Sequence, residues 1–205
     1  MFALVESGSI TKMMNGNKGI TIGDNQYPAA IFTVWTESER NAIGIYTIEM
    51  NTTNFKSSEY YLNTEITYAY DSSSNKVTGS YGTATQKEVN DTKWTQSEID
   101  AGKAPDGADT NTIKDYGLKH YKKLEVQKAC ASILQPSDYM ALKAAEGVTM
   151  DSGWKTWRAS VRTKCNSMQT QIDNAANVDA LAALFTYTTK DGVTSRPLGE
   201  FPVKE

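Results

Sequence analysis

The spacing of apolar positions changes once along this chain, from every second residue to every third or fourth. Across residues 1–89 they fall in short, strand-like runs. Residues 2–6 and 10–14 flank Ser7-Gly8-Ser9, a Gly-containing connection that predicts a β-hairpin. Residues 16–23, bounded by Gly16 and Gly23, read as a turn-rich stretch. Thr36-Glu37-Ser38-Glu39 has the form of a capping box: the Thr36 hydroxyl accepts from the Glu39 backbone and the Glu39 carboxylate reaches back. Its helix is short, about two turns, because Gly44 stands where a residue past the C-cap adopts left-handed backbone. A strand is expected at 45–50. Ile66, Tyr68 and Tyr70 share one face of the run 60–71, while Tyr61 falls opposite Tyr60. After the turn composition Asp71-Ser72-Ser73-Ser74-Asn75, Val77, Gly79 and Tyr81 continue the alternation, which predicts a second hairpin. Its edge needs covering by a partner or by the rest of the chain.

Residues 90–117 hold breakers at close intervals, among them Gly102, Pro105-Asp106-Gly107 and Asp109-Thr110-Asn111, and read as a linker with one short helical turn at 97–101. Trp94 inside it suggests that the linker packs onto something. From Leu118 the period becomes helical. One helix is expected over 118–134, stopped by Pro136, which disfavours helix in the residue before it. Ser137-Asp138 supplies an N-cap and a first-turn acid for a second helix, 139–146, which ends at Gly147. Trp154, Trp157, Val161, Cys165, Met168 and Ile172 make one apolar stripe, a third helix. Asn177 caps a last one through Phe185, and the tail from Thr186 is expected to be extended. The fold class is therefore α+β: a β-rich N-terminal domain of hairpins plus one short helix (1–89), a linker (90–117), a small antiparallel helical bundle (118–186) and an extended tail (187–205).

Composition narrows the function classes. The hydrophobic fraction is 39%, and Thr, Asn and Ser rather than charge fill the difference from an average globular chain, which suits exposed strand and loop. Net charge is −3, without strong blocks. The one basic cluster, Lys119, Lys122, Lys123 and Lys128, is interrupted by Glu125 and reads as a solvated helix face, so no nucleic-acid partner is expected. No stretch approaches the ~20 apolar residues of a membrane span, so no membrane partner is expected either. Met1-Phe2-Ala3-Leu4-Val5-Glu6 lacks a basic n-region and does not read as a signal peptide. Cys130 and Cys165 fall in helical patterns and read as buried thiols.

Candidate chemistry is sparse. His120 is the sole histidine, and with two cysteines thirty-five residues apart it makes no zinc pattern. Gly16-Asn17-Lys18-Gly19 lacks the spacing and the Ser/Thr of a phosphate loop, and Asp71 to Asn75 lacks the closing Glu of a calcium loop. No catalytic residue, cofactor or metal is expected, and the chain reads as a non-enzyme. Trp154 and Trp157 read as core, with a sugar platform or interface anchor as the other reading.

Two stretches carry a resemblance. The first is Gly117-Leu118-Lys119, then Ala131-Ser-Ile-Leu-Gln-Pro136-Ser-Asp-Tyr139, Leu142-Lys-Ala-Ala-Glu146, Trp154-Lys-Thr-Trp157-Arg158 and Asn177-Val-Asp-Ala-Leu181. The second is Trp35-Thr-Glu-Ser-Glu-Arg40-Asn-Ala-Ile-Gly-Ile45. Together, over about 100 residues, they resemble phage tail accessory proteins, many from marine hosts, and more distantly tail-fibre assembly chaperones. This chain departs from that group in having Tyr139 where Trp is common and Phe201-Pro202 where Trp-Pro closes the chain. The resemblance implies a structural component of a bacteriophage tail, a tail-fibre or baseplate-associated protein that acts by protein–protein binding. It implies other tail proteins as partners, a homo-oligomer (a trimer by family analogy), and residence in the virion tail after assembly in the host cytoplasm. A transient tail-fibre assembly chaperone is one alternative, and a carbohydrate-binding module for host surface sugars is another. The residues expected to carry contacts are Trp35, Tyr60, Tyr68, Tyr70 and Trp94.

Overall fold

In the computed structural model, which describes residues 1–204, period-two alternation becomes a five-stranded sheet within the first of two units, Met1–Thr85. β1 (Phe2–Glu6) and β2 (Ser9–Met14) form the expected hairpin through Ser7 and Gly8, both at positive φ. β3 (Ile20–Ile22) and β4 (Asn25–Tyr27) then pair as a small separate hairpin. That hairpin includes part of the stretch read as turn, because two apolar positions are too few to reveal a period. α1 (Ile31–Val34), a single unforeseen turn, buries Ile31 and Phe32. α2 (Glu37–Ala42) opens on the predicted capping box, with both halves formed. Gly44 ends it at φ +82°, and a Cβ there would sit 2.7 Å from the Val5 carbonyl oxygen, so the position excludes side chains twice over.

β5 (Ile45–Asn51) follows at once, then β6 (Tyr61–Leu62) and the second predicted hairpin, β7 (Ile66–Asp71) and β8 (Lys76–Tyr81). The sheet order is β2-β1-β5-β8-β7. β1 and β5 pair antiparallel, but β5 and β8 pair parallel, with Ile48 opposite Val77. The hairpin pattern alone gave no sign of that parallel join. The edge strands β2 and β7 approach each other, so the sheet curls. Leu4, Ile20, Ile31, Phe32 and Ile45 make one buried cluster on one face. Ala3, Tyr46, Ile48 and Val77 make another on the opposite face, with Tyr68 and Tyr70 packed against it. β9 (Thr85–Gln86) marks the unit's end.

Within the second unit, from Gln86 onward, the segment read as a linker is folded. β10 (Thr92–Lys93) and β11 (Ile113–Asp115) pair antiparallel and bracket α3 (Gln96–Asp100), the expected short helix. A second capping box, Thr95 with Glu98, opens that helix. α4 (Leu118–Leu134) has no side-chain cap. Instead the Leu118 and Lys119 amides donate to the carbonyls of Glu88 and Val89, satisfying helix-start donors with neighbouring backbone. Gly117 permits this approach, since a Cβ there would lie 2.4 Å from the Asn90 backbone.

A 3₁₀ turn (Gln135–Ser137) carries Pro136 and leads into α5 (Asp138–Ala145). α6 (Ser152–Asp173) is capped by Asp151 and α7 (Val178–Phe185) by Asn177, as expected for the latter. α4 and α6 run antiparallel: Lys119 Nζ donates to the Asp173 carbonyl, Gln127 to Gln169, and Arg158 to the Leu134 carbonyl. Val161, Cys165, Met168 and Ile172 of the predicted stripe are buried there. Each fully buried side chain of this kind contributes roughly 1.5–3 kcal/mol. The tail is not simply extended. β12 (Thr188–Lys190) and β13 (Val193–Ser195) form a hairpin on Asp191-Gly192, both at positive φ, and Leu198 is buried. The Asp-Gly dipeptide was the available signal for this turn.

Candidate functional site

The five aromatics expected to carry contacts mostly serve the interior. Trp35 is half-buried against the Leu4–Ile45 cluster, edge-on to Tyr27 with ring centroids 5.9 Å apart. Its carbonyl accepts from Arg40, whose guanidinium also lies 5.3 Å from the Phe2 ring centre. Tyr60 is buried. Tyr68 and Tyr70 face the second cluster, and Gly79 makes room for Tyr68. The Tyr46 and Tyr70 hydroxyls both donate to Asn75 Oδ1, at 2.9 and 2.8 Å. The Tyr70 hydroxyl 3.4 Å away, and then burial, push the Tyr46 hydroxyl up to about 12. Trp94 is half-buried under the Lys114 ammonium, 5.1 Å from its ring centre.

Other residues singled out by sequence also find structural places. His120 stacks on Tyr116 at 3.8 Å. Lys122 is not a solvated face residue: it is buried, paired with Glu125, and 4.6 Å from the Phe185 ring centre. Its neighbour Lys123 pairs with Asp173. Cys130 and Cys165 are free, buried thiols; burial first, and then Cys165, push the Cys130 thiol up to about 11. Trp154 and Trp157 meet edge-on at 5.5 Å. Trp157 donates to the Pro202 carbonyl, and Lys204 lies over Trp154. Each indole thus has a neighbour within the chain. Among the described residues, no group of three or more His, Cys, Asp or Glu side chains could hold a metal ion, and no helix is long and apolar enough to cross a membrane.

The feature that sequence reasoning missed lies at the α5–α6 corner. Arg158, buried on α6, donates to the Leu134 carbonyl, the Ser137 hydroxyl and the Asp138 carboxylate. Ser137 therefore does not cap α5 through its side chain, as its position suggested. Its hydroxyl is buried, donating to the Leu134 carbonyl and accepting from Arg158. This clamp holds the first turn of α5, but α5 itself buries none of its residues. Tyr139, Leu142 and Val148 stand exposed, Leu142 at 68%. Between α5, the segment after it and α6 lies a groove of about 480 Å³. Ala141, Ala144, Val148 and Met150 line it on one side, Lys155 and Arg162 on the other. A smaller hollow of about 270 Å³, which shares Val148, Thr149 and Met150 with it, reaches Trp154.

No protein-family model, curated protein or solved structure compared with this chain matches it.

Proposed function

We propose that this chain is a non-catalytic, protein-binding component of a bacteriophage tail, associated with the tail fibre or baseplate. The observation that carries the protein-binding part is α5: a helix with no buried residue, showing Tyr139 and Leu142 to solvent beside an open groove. Apolar side chains gathered on one exposed element, rather than scattered singly, are what a docking surface presents. The assignment to a tail rests on the sequence resemblance. Its motif residues occupy packing and capping positions here, namely the Thr36 box, the Arg158 clamp and the Asn177 cap. A motif set of this kind preserves a scaffold rather than a reaction.

Mass spectrometry of purified particles tests the proposal. Peptides of this chain are expected in constant ratio to the major tail proteins. Absence from particles, with recovery from infected cells in complex with a fibre protein, would make it an assembly chaperone. Absence from both would sink the tail reading. The sugar-binding alternative predicts retention on glycan arrays; the Trp157 N–H bonded to the Pro202 carbonyl and the Lys204 ammonium over Trp154 argue against it.

A further inference from the structure

We infer that the α5–α6 groove docks a partner segment that carries carboxylates among apolar side chains. This deepens the protein-binding reading and rests on it. The groove's size lies within the ~300–1,000 Å³ of pockets that bury a ligand. Its two walls differ chemically. The α5 wall and following segment offer Ala141, Ala144, Val148 and Met150, small or apolar groups that favour methyl and aromatic contacts. The α6 wall offers Lys155, Arg158 and Arg162. Arg158 is neutralised by Asp138 at 2.7 Å. Lys155 and Arg162 make no ion pair among the described residues, and no carboxylate lines the groove. The chain as a whole carries −3, yet this groove carries two uncompensated positive charges.

That local reversal of sign selects the occupant. An apolar segment alone would fill the α5 wall and leave two cations partly desolvated, which costs free energy unless they are paired. A basic segment would be repelled. A segment with a Glu or Asp spaced to meet Lys155 and Arg162, and apolar residues turned toward Val148 and Met150, satisfies both walls. Rim charges of this kind contribute mainly to register and choice of partner, and the apolar filling contributes most of the affinity.

The test uses the full chain, labelled with ¹⁵N, and three probes of one shape: 4-phenylbutyrate, 4-phenylbutan-1-ol and 4-phenylbutylamine. Saturable amide shifts at Ala141, Val148, Lys155 and Arg162 are expected with phenylbutyrate, with the alcohol about tenfold weaker and the amine silent. The double variant K155E/R162E is expected to lose the response with an unchanged Tm, since neither side chain pairs in the fold. Should it unfold, Val148→Glu, at a site 56% exposed, replaces it and is expected to lose the response too. Equal binding of the alcohol or amine, or shifts confined to other regions, overturns the inference. So does self-association that shields the same amides, because the occupant would then be a second copy. In particles, K155E/R162E is expected to be incorporated about tenfold less than wild type. Equal incorporation overturns the docking site and leaves the tail reading standing. Absence of the wild-type chain both from particles and from fibre complexes of infected cells overturns the tail reading, and the titration then decides the docking site alone.

Discussion

Arg158 is the most informative residue to remove. Its guanidinium holds together the end of α4, the 3₁₀ turn and the first turn of α5. Two contributions to this clamp differ in kind. The Asp138 side chain is 55% exposed, so its ion pair is screened and contributes little, about 1 kcal/mol. The Leu134 carbonyl and Ser137 hydroxyl are neutral acceptors. Each loses a charged donor when Arg158 goes, at about 1 kcal/mol or more apiece, moderated because Ser137 still donates to Leu134. Loss of the buried aliphatic stem adds about 1 kcal/mol. Arg158→Ala should therefore cost about 3 kcal/mol and Asp138→Ala about 1. With an m-value of about 1.5 kcal/mol/M, the first moves a urea midpoint down by about 2 M. Trp94, Trp154 and Trp157 all lie in the helical unit, so tryptophan fluorescence follows its unfolding. If Asp138→Ala proves as costly as Arg158→Ala, the ion pair rather than the carbonyl clamp holds this corner, and the reasoning fails.

Three further outcomes follow from packing and charge. Gly79→Ala places a Cβ 2.8 Å from Met50 Sδ and 2.9 Å from Tyr68 Cε1, so overpacking should destabilise the sheet by about 1–3 kcal/mol, read as a lower Tm. The Ser73 and Ser74 side-chain donors, helped by the Ser73 backbone amide, hold the Asp71 carboxyl down at about 2, below its ordinary 3.8. A carboxyl lowered on folding stabilises above its unfolded value and loses that contribution on acidification. Urea midpoints should therefore fall between about pH 4 and pH 2, and less so in Asp71→Asn; identical profiles would refute the assignment. Cys130 and Cys165 should resist iodoacetamide at pH 8 in the folded chain and react promptly in urea, followed by mass spectrometry, because burial keeps the Cys130 thiol protonated.

Where a pattern repeated over several residues, it was legible in the sequence. Thr36 and Glu39 announce their helix because a capping box is a local reciprocal bond. The α6 stripe announces itself through steps of three and four, and Asp71 to Asn75 through side chains that fold back on their own backbone. Elements of two or three residues escaped, since β3, β10 and β11 are too short to show a period. The parallel β5–β8 pairing also escaped, because it joins strands separated by others in the chain. The docking groove was hidden for a different reason. Val148, Lys155 and Arg162 look like ordinary surface positions one at a time, and Ser137 looks like a cap. Only the turn at Pro136, which sets α5 against α6, gives them a common purpose.

The parallel join of β5 to β8 has a consequence for synthesis. β5 is complete at Asn51, but the strand that covers its second edge ends at Tyr81, 30 residues later (81 − 51). At about 5–20 residues per second, the ribosome needs roughly two to six seconds to supply it. During that interval β1 and β2 can close one side of β5, while the amides and carbonyls beside Ile48 stay open to any other extended chain. A nascent or truncated chain that stops short of Tyr81 therefore displays an open strand edge, a template for any extended chain that meets it.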